Sequence, residues 1–521
     1  MNKSIKGALI IIILVVIGSV SVKLLLPLFE ASHQKATSDA AKTKGKIRLA
    51  LDNWIGYFPL RSTEMKNLMR RSGWNLICED DNADYDKRMA RLQSGEIQLA
   101  VATVDSFILN SAPHHFPGII IMVIDESAGG DAILARKDRV ASLDALKGLT
   151  DIKVAFTPNS PSHHFAKAVA DHFNAPELLP QDKLRIETGG SSAACEKLIK
   201  GQTDIAICWE PDVSRALAKK NIVKLIGTED TERLIVDILI AGRDFAQKHP
   251  EVIKILLSNY FKALKKYRDH PDLLSEQVKE TTDLNEKSVE SMLKGVKWAN
   301  FNANCENWFG ITSFGGFANE GLIATIDSTI KILINSGDFS QSPIPDDDPY
   351  RLTNSSFLET LFTQGVTGFT RPKPQSSASN VNSIEARFGA LSDAEWKQLK
   401  EVGTLKVDPI VFQHGTTELD IIAKKVVDNA VTRLEHYPNF RMVIKGHTGT
   451  RGDSDENQRL SQERAQAVAR YLTVVFNVDP NRLRAIGFGG SQPLPRKSGE
   501  SLRTWKYRLP RVELVLVKED Y

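Results

Sequence analysis

Three regimes of apolar patterning divide the chain. The residues from Gly7 to Val22 are all uncharged and almost all apolar; Lys3 and Lys6 precede the run, Lys23 interrupts it, and 24–29 resume it. A helix this apolar on every face does not fit a globular surface. The run is longer than a usual signal-peptide core, and no clean small-x-small cleavage site precedes the polar stretch 30–46. Residues 1–30 are therefore expected to remain as a membrane anchor, with a short tether over 31–45. The amino-terminal lysines favour a cytoplasmic N-terminus, which places the bulk of a bacterial chain in the periplasm, tied to the inner membrane.

From 46 to 336 short apolar strands alternate with amphipathic helices. The pattern predicts strands at 47–51, 74–78, 97–102, 118–124, 153–156, 184–187, 204–208 and 222–226, and helices at 61–71, 85–93, 161–173 and 191–200. Gly73, Gly95 and Gly201 stand where those helices should stop. This is the rhythm of an α/β fold with parallel strands, turning mainly helical over 250–333. Residues 337–385 are rich in Pro, Ser and Asp and read as a linker with one short docked segment near 357–362. A second α/β domain follows over 386–521, with helices at 392–401, 416–436 and 456–475 and strands at 404–412, 441–445, 484–488 and 511–517.

With 67 Lys plus Arg against 64 Asp plus Glu, the net charge of +3 gives no footprint for nucleic acid. The four cysteines lie far apart with no C-x-x-C pair, which excludes a zinc ribbon and leaves one unassigned bridge open. His163 and His164 are adjacent, so on a helix they point about 100° apart and do not grip one ion together. The pair His114 and His115 falls in a Pro-bounded loop. No metal and no cofactor is expected.

In the last domain, Ile444-Lys-Gly-His-Thr-Gly449, Gly452, Asn457-Gln-Arg-Leu-Ser461, Arg464-Ala465, Gly487-Phe-Gly489 and Arg511-Val-Glu513 carry a specific pattern. Over about 405–517 it resembles the OmpA-like peptidoglycan-binding domain. A helix there presents Asn457 and Arg464 two turns apart on nearly one face. The resemblance implies that Arg464 pairs with the diaminopimelate carboxylate of the wall peptide, with Asn457 and Arg511 beside it, a fork geometry that suits guanidinium. The family's Asp after His-Thr, which takes the ligand's ammonium, is here Gly449, and Asp453 or Asp455 are the candidate substitutes. The domain is thus read either as a peptidoglycan binder or as a retained fold with another partner.

The region 46–336 resembles the periplasmic substrate-binding proteins of the nitrate, sulfonate and taurine type. The likeness rests on Trp54-Ile-Gly-Tyr-Phe-Pro59, Leu92-Gln-Ser-Gly-Glu-Ile-Gln-Leu-Ala100, Asp125-Glu-Ser-Ala-Gly-Gly-Asp131, Leu198-Ile-Lys-Gly-Gln-Thr-Asp-Ile-Ala206 and Trp209-Glu-Pro211. It implies a two-lobed fold that closes on a small solute, with chain crossings expected near 135–139 and 236–241. In open sheets, ligands sit beyond the carboxyl ends of strands, at the loops 53–57, 103–106 and 157–164. The last has Pro161 at a first helical position with Ser160 as cap and Ser162 beside it, a geometry that can hold an anion. Trp54, Tyr57 and Trp209, with Asp105, Ser106, Asp125, Asp131 and Glu210, suit an amine instead, through aromatic faces and carboxylates. Asp105 and Glu210 can equally cap helices, and the two tryptophans can equally pack at the mouth of a sheet.

No nucleophile-elbow, phosphate-loop or dinucleotide pattern stands in a strand-to-helix setting, so the chain reads as a binder and not an enzyme. Its expected partners are a small ligand, peptidoglycan, the inner membrane, and a permease or an envelope complex. A wall-anchored flagellar stator subunit shares the general plan, but residues 7–29 lack the intramembrane acid that ion conduction needs.

Overall fold

The computed structural model describes residues 43–282, 285–312, 319–365, 388–410, 412 and 416–518. The expected anchor over 1–30 lies outside them, and no helix among the described residues is long and apolar enough to cross a membrane.

The strands, in chain order, are β1 (Gly45–Leu51), β2 (Trp74–Asp80), β3 (Leu99–Thr103), β4 (Gly118–Ser127), β5 (Asp131–Arg136), β6 (Val154–Phe156), β7 (Arg185–Glu187), β8 (Ile205–Trp209), β9 (Ile222–Gly227), β10 (Val236–Gly242), β11 (Val296–Trp298), β12 (Lys400–Leu405), β13 (Arg441–His447), β14 (Leu483–Gly487) and β15 (Arg511–Lys518). They form three sheets among the described residues, ordered β11-β4-β10-β3-β1-β2, β7-β6-β8-β5-β9 and β12-β15-β13-β14. The helices that matter below are α1 (Val104–Ser111), α2 (Pro161–Phe173), α3 (Ser191–Ile199), α4 (Asp212–Leu217), α5 (Gly321–Asn335), α6 (Ser356–Gln364), α7 (Ile421–Leu434) and α8 (Ser454–Phe476).

The first two sheets are the cores of two lobes, and the chain passes between them twice. It leaves the first sheet after β4 through residues 128–130 and returns through 228–235 to β10. The crossings expected near 135–139 and 236–241 are corrected by this: the first lies at the end of β5, and the second is β10 itself, hydrogen-bonded on both edges to β3 and β4. A central strand buried along its whole length makes a poor hinge. Gly129 turns the first crossing with φ +127°, a conformation that L side chains rarely adopt. The expectation of parallel strands holds in part. β1, β2 and β3 run parallel, as do β6, β7 and β8, but β4 and β10 pair antiparallel, as does β5 with β8 and β9, because a chain that crosses and comes back reverses direction.

The described part of the stretch read as linker, 337–365, packs on the first lobe. Phe357, Leu358 and Leu361 form a helical stripe on α6 and are buried in the first lobe's core together with Leu352. The Asn354 amide donates to the Ile120 carbonyl at 2.9 Å, extending the sheet's edge. The domain therefore continues to 365, and 366–387 lie outside the described residues.

In the last domain α7 starts later than the pattern suggests, because Asp420 caps it by accepting from the Ala423 amide at 2.7 Å. α7 and α8 cover one face of the third sheet, with Val427, Val431, Ala465, Val468 and Leu472 in the core. That core is continuous with the second lobe. Phe173 at the end of α2 packs on Tyr437 with ring centroids 5.2 Å apart, and a Cβ on Gly403 would come within 2.6 Å of the Phe173 ring. Asp171 pairs with Lys406 at 3.1 Å and Arg433 at 3.5 Å, and Lys518 pairs with Asp230 at 2.9 Å.

Candidate functional site

The lobes meet where β1 and β3 end and the two crossings begin. After β1, Asp52 is 2% exposed and held by Arg88 at 3.2 Å, with its Oδ1 accepting from the Trp54 amide at 3.1 Å. It is a paired, structural carboxylate. Trp54 then turns its indole Nε1 onto Asp125 Oδ1 at 3.2 Å. Two glycines permit this packing: a Cβ on Gly56 would lie 2.1 Å from Asp125 Oδ2, and one on Gly130 would lie 2.1 Å from the Trp54 ring.

Asp125 stands on β4 directly opposite Asp237 on β10 in the antiparallel register. Both are buried, and the Tyr57 hydroxyl donates to Asp237 Oδ1. Like charges facing each other across a strand pair are unfavourable, more so without water. Burial pushes Asp125 up to about 8, with the Trp54 hydrogen bond offsetting only part and Asp131 adding to the rise. Asp237 is raised well above the ordinary carboxylate range by burial and by Asp125. Asp131, at the start of β5, is pushed up to about 7 by burial, with the Ser127 hydroxyl opposing and Asp105 and Glu210 reinforcing. Among the described residues Asp131 Oδ1 has no hydrogen-bond partner, and the Asp125 carboxyl has, besides Trp54, the Asp237 carboxyl, whose hydrogen bond opposes part of the rise.

From the second lobe come Trp209, whose Nε1 donates across the lobes to Asn53 Oδ1 at 3.3 Å, and the loop before α2. Asn110 on α1 donates to the Asn159 carbonyl at 3.1 Å, a second bridge between lobes. Ser160 precedes α2 with Pro161 at its first position, but its hydroxyl donates to the Thr157 carbonyl at 2.6 Å and does not cap the helix. Ser162 accepts from the Thr157 amide at 3.3 Å. The Thr157 hydroxyl and both His164 ring nitrogens have no hydrogen-bond partner among the described residues. His163 stacks on Phe156 at 4.6 Å and is pushed down to about 2 by burial and the nearby Lys167 and Arg185 cations.

The sequence-derived residues therefore sort into groups. Trp54, Tyr57, Asp125, Asp131 and Trp209 converge on the interlobe seam, and Ser160 and Ser162 are buried at the start of α2, beside the Asn159 carbonyl that meets Asn110 of the first lobe. Asp105 lies in the first turn of α1, accepting from the Ser106 hydroxyl at 3.2 Å, and it is not the cap, a position held by Thr103. Glu210 is tied to the start of α4, accepting from the Ser214 amide at 3.0 Å and hydroxyl at 2.7 Å. Asp237 was missed. Its signal was a lone acid inside the otherwise apolar run 234–242.

In the last domain, Arg464 is 7% exposed on α8, its Nε donating to the Thr416 carbonyl at 3.2 Å and its guanidinium 5.0 Å from the Phe412 ring centre. No carboxylate pairs with it among the described residues, and burial lowers its pKa. Asn457 donates to the Arg451 carbonyl at 3.0 Å. Asp453 caps α8, its Oδ1 accepting from the Asp455 and Glu456 amides at 2.9 Å each. Arg511 pairs with Glu513 at 2.7 Å, and His447 approaches the same carboxylate at 3.5 Å. Against the opposing effect of burial, these two partners hold Glu513 down to about 2. Beside Gly449 there is open space, since an added Cβ would meet nothing within 4 Å.

The first two sheets thus form two lobes joined by two crossings of the chain. Comparison with solved structures finds similar chains at low identity. The periplasmic aliphatic sulphonate binding protein of Escherichia coli has a TM-score of 0.44 at 16% identity, covering 60% of this chain and 99% of that one. The periplasmic nitrate-binding protein of Synechocystis has a TM-score of 0.44 at 13% identity, covering 62% and 89%. Residues 411–504 match the OmpA family. The peptidoglycan-associated lipoprotein of Rhizobium meliloti is 34% identical over 119 residues, 23% of this chain and 67% of that protein. That of Pseudomonas aeruginosa is 31% identical over 130 residues, 25% and 74%. Through its C-terminal domain, the chain belongs to the OmpA family.

Proposed function

We propose that this chain is a membrane-tethered envelope protein that captures a small amine-bearing cation between its lobes and associates with peptidoglycan through its OmpA domain. The observation that carries the cation reading is Asp125 facing Asp237 across β4 and β10 within hydrogen-bond reach, with Asp131 close by and its Oδ1 without a partner among the described residues. An ammonium donates to several acceptors at once and lets neighbouring carboxylates ionise together. Once ionised, the three buried acids would repel an oxyanion in the same place. The loop before α2 offers donors for a neutral or acceptor end of the ligand. Binding would favour the closed arrangement already bridged by Trp209–Asn53 and Asn110–Asn159, and closure would be read by a permease or an envelope complex.

Wall association draws on the relatives' peptidoglycan-associated character and on a buried guanidinium that no carboxylate neutralises among the described residues. The tether draws on residues 7–29. A second reading of the OmpA domain, as a brace, is favoured by Gly449 and by the continuous core it shares with the second lobe.

A thermal-shift screen of the full chain tests the cation reading, with choline, ethanolamine and putrescine set against methanesulfonate and nitrate. Stabilisation by an amine alone is expected. Stabilisation by the oxyanions alone overturns the cation assignment.

A further inference from the structure

The four cysteines are separated by the fold. Cys78 lies in the first lobe, its Sγ 3.7 Å from the Leu60 carbonyl, and Cys305 is buried in the same lobe's core. Cys195 and Cys208 are both fully buried in the second lobe, in one small cluster with Ala194, Leu198 and Ala206. Their placement follows from the register of α3 on β8. The Ser191 hydroxyl, one turn before Cys195, accepts from the Trp209 amide at 3.0 Å and donates to the Trp209 carbonyl at 3.2 Å. This pins the start of the helix to the residue after Cys208. Side chains alternate along a strand, so Trp209 faces the interlobe seam while Cys208 turns back under α3, where Cys195 lies. The Cys195 thiol donates to the Asp212 carbonyl at 3.3 Å, which brings its sulfur to the chain just beyond β8, and the neighbouring thiols perturb one another, lowering Cys195 and raising Cys208.

We propose that Cys195 and Cys208 are a disulfide pair, closed when the chain matures in an oxidising compartment, and that the bond staples α3 to the strand that carries Trp209 into the cleft. The reagent is an external disulfide. The Cys195 thiolate attacks one of its sulfurs and expels a thiolate. The Cys208 thiolate then attacks Cys195 Sγ and expels the second. One S–S bond breaks and one forms. The protein gives up two electrons and two protons, and the reagent leaves as two thiols. Both sulfurs are buried in the finished fold, so exchange belongs to the folding chain, before α3 covers β8. The bond closes a short loop and stabilises the second lobe by restricting the unfolded chain.

The test refolds the full chain in a glutathione redox buffer and alkylates it after denaturation, so it does not depend on the envelope location or on any ligand. Two of the four thiols should be blocked, and a peptide linking Cys195 to Cys208 should appear with a mass about 2 Da below the sum of its thiol forms. The double variant Cys78→Ser with Cys305→Ser should then show no free thiol until reduced, and its melting temperature should fall by several degrees on reduction. Four alkylated thiols after refolding, or a linkage that uses Cys78 or Cys305, would overturn the assignment.

Discussion

His172 Nδ1 lies 2.7 Å from the Tyr437 hydroxyl, and the same imidazole stacks on His436 at 5.5 Å. These contacts join the second lobe to the OmpA domain, while His436 Nδ1 approaches the Glu232 carbonyl at 3.0 Å. Tyr437 is fully buried, so Tyr437→Ala should cost about 3–5 kcal/mol in denaturant melts. Tyr437→Phe should cost about 1–2 kcal/mol by leaving the imidazole nitrogen unpaired. Hydrogen exchange should rise on both sides of the joint. Protection unchanged in both variants would mean the domains do not share a core.

The histidines at this joint also set an acid limit. Burial lowers His172 well below the ordinary imidazole range and lowers His436 as well. A histidine depressed in the fold binds its proton better unfolded, so the joint's stability is present above about 6.5 and is lost as pH falls below it. Protection factors at 436–437, corrected for the slowing of base-catalysed intrinsic exchange, should fall from pH 7.5 to 5 before the first lobe loosens.

The carboxylates of the seam have the opposite sign. Asp125 and Asp131, raised to about 8 and about 7, hold their protons more tightly in the fold than in the unfolded chain. Their contribution to stability therefore falls as pH rises from about 4 through those values. Asp125→Asn should raise the melting temperature of the ligand-free chain at pH 8.5 and change it little at pH 5.5. An equal shift at both values would contradict the titration.

Open space beside Gly449 makes the OmpA reading testable in both directions. Gly449→Asp should increase the fraction of protein that sediments with purified peptidoglycan, and Arg464→Ala should reduce it several-fold. A domain serving only as a brace would pellet equally weakly in all three forms.

Much of this arrangement was legible in the residues. The OmpA motif was specific because glycines, Asn457, Arg464 and Arg511 recur at fixed spacing through strand, turn and helix. The seam was partly legible, since Trp54, Asp125, Asp131 and Trp209 flank strand ends. Asp237 was hidden because its partner, Asp125, is more than 100 residues away and only antiparallel pairing brings them together. The hinge was misplaced for the same reason: apolar runs mark strands but not which sheet they join. The stripe on α6 showed that a segment would dock, while the composition around it read as linker.

The central claim is a cationic ligand held by Asp125 and Asp237. Titration calorimetry of the full chain at pH 8.5, with the amine that gives the largest thermal shift, tests it against Asp125→Asn and Asp237→Asn. The account predicts saturable binding that weakens at least about tenfold in each variant, the loss of one charge-assisted contact. Unchanged amine affinity in both variants, or binding of nitrate or methanesulfonate in place of any amine, would contradict it.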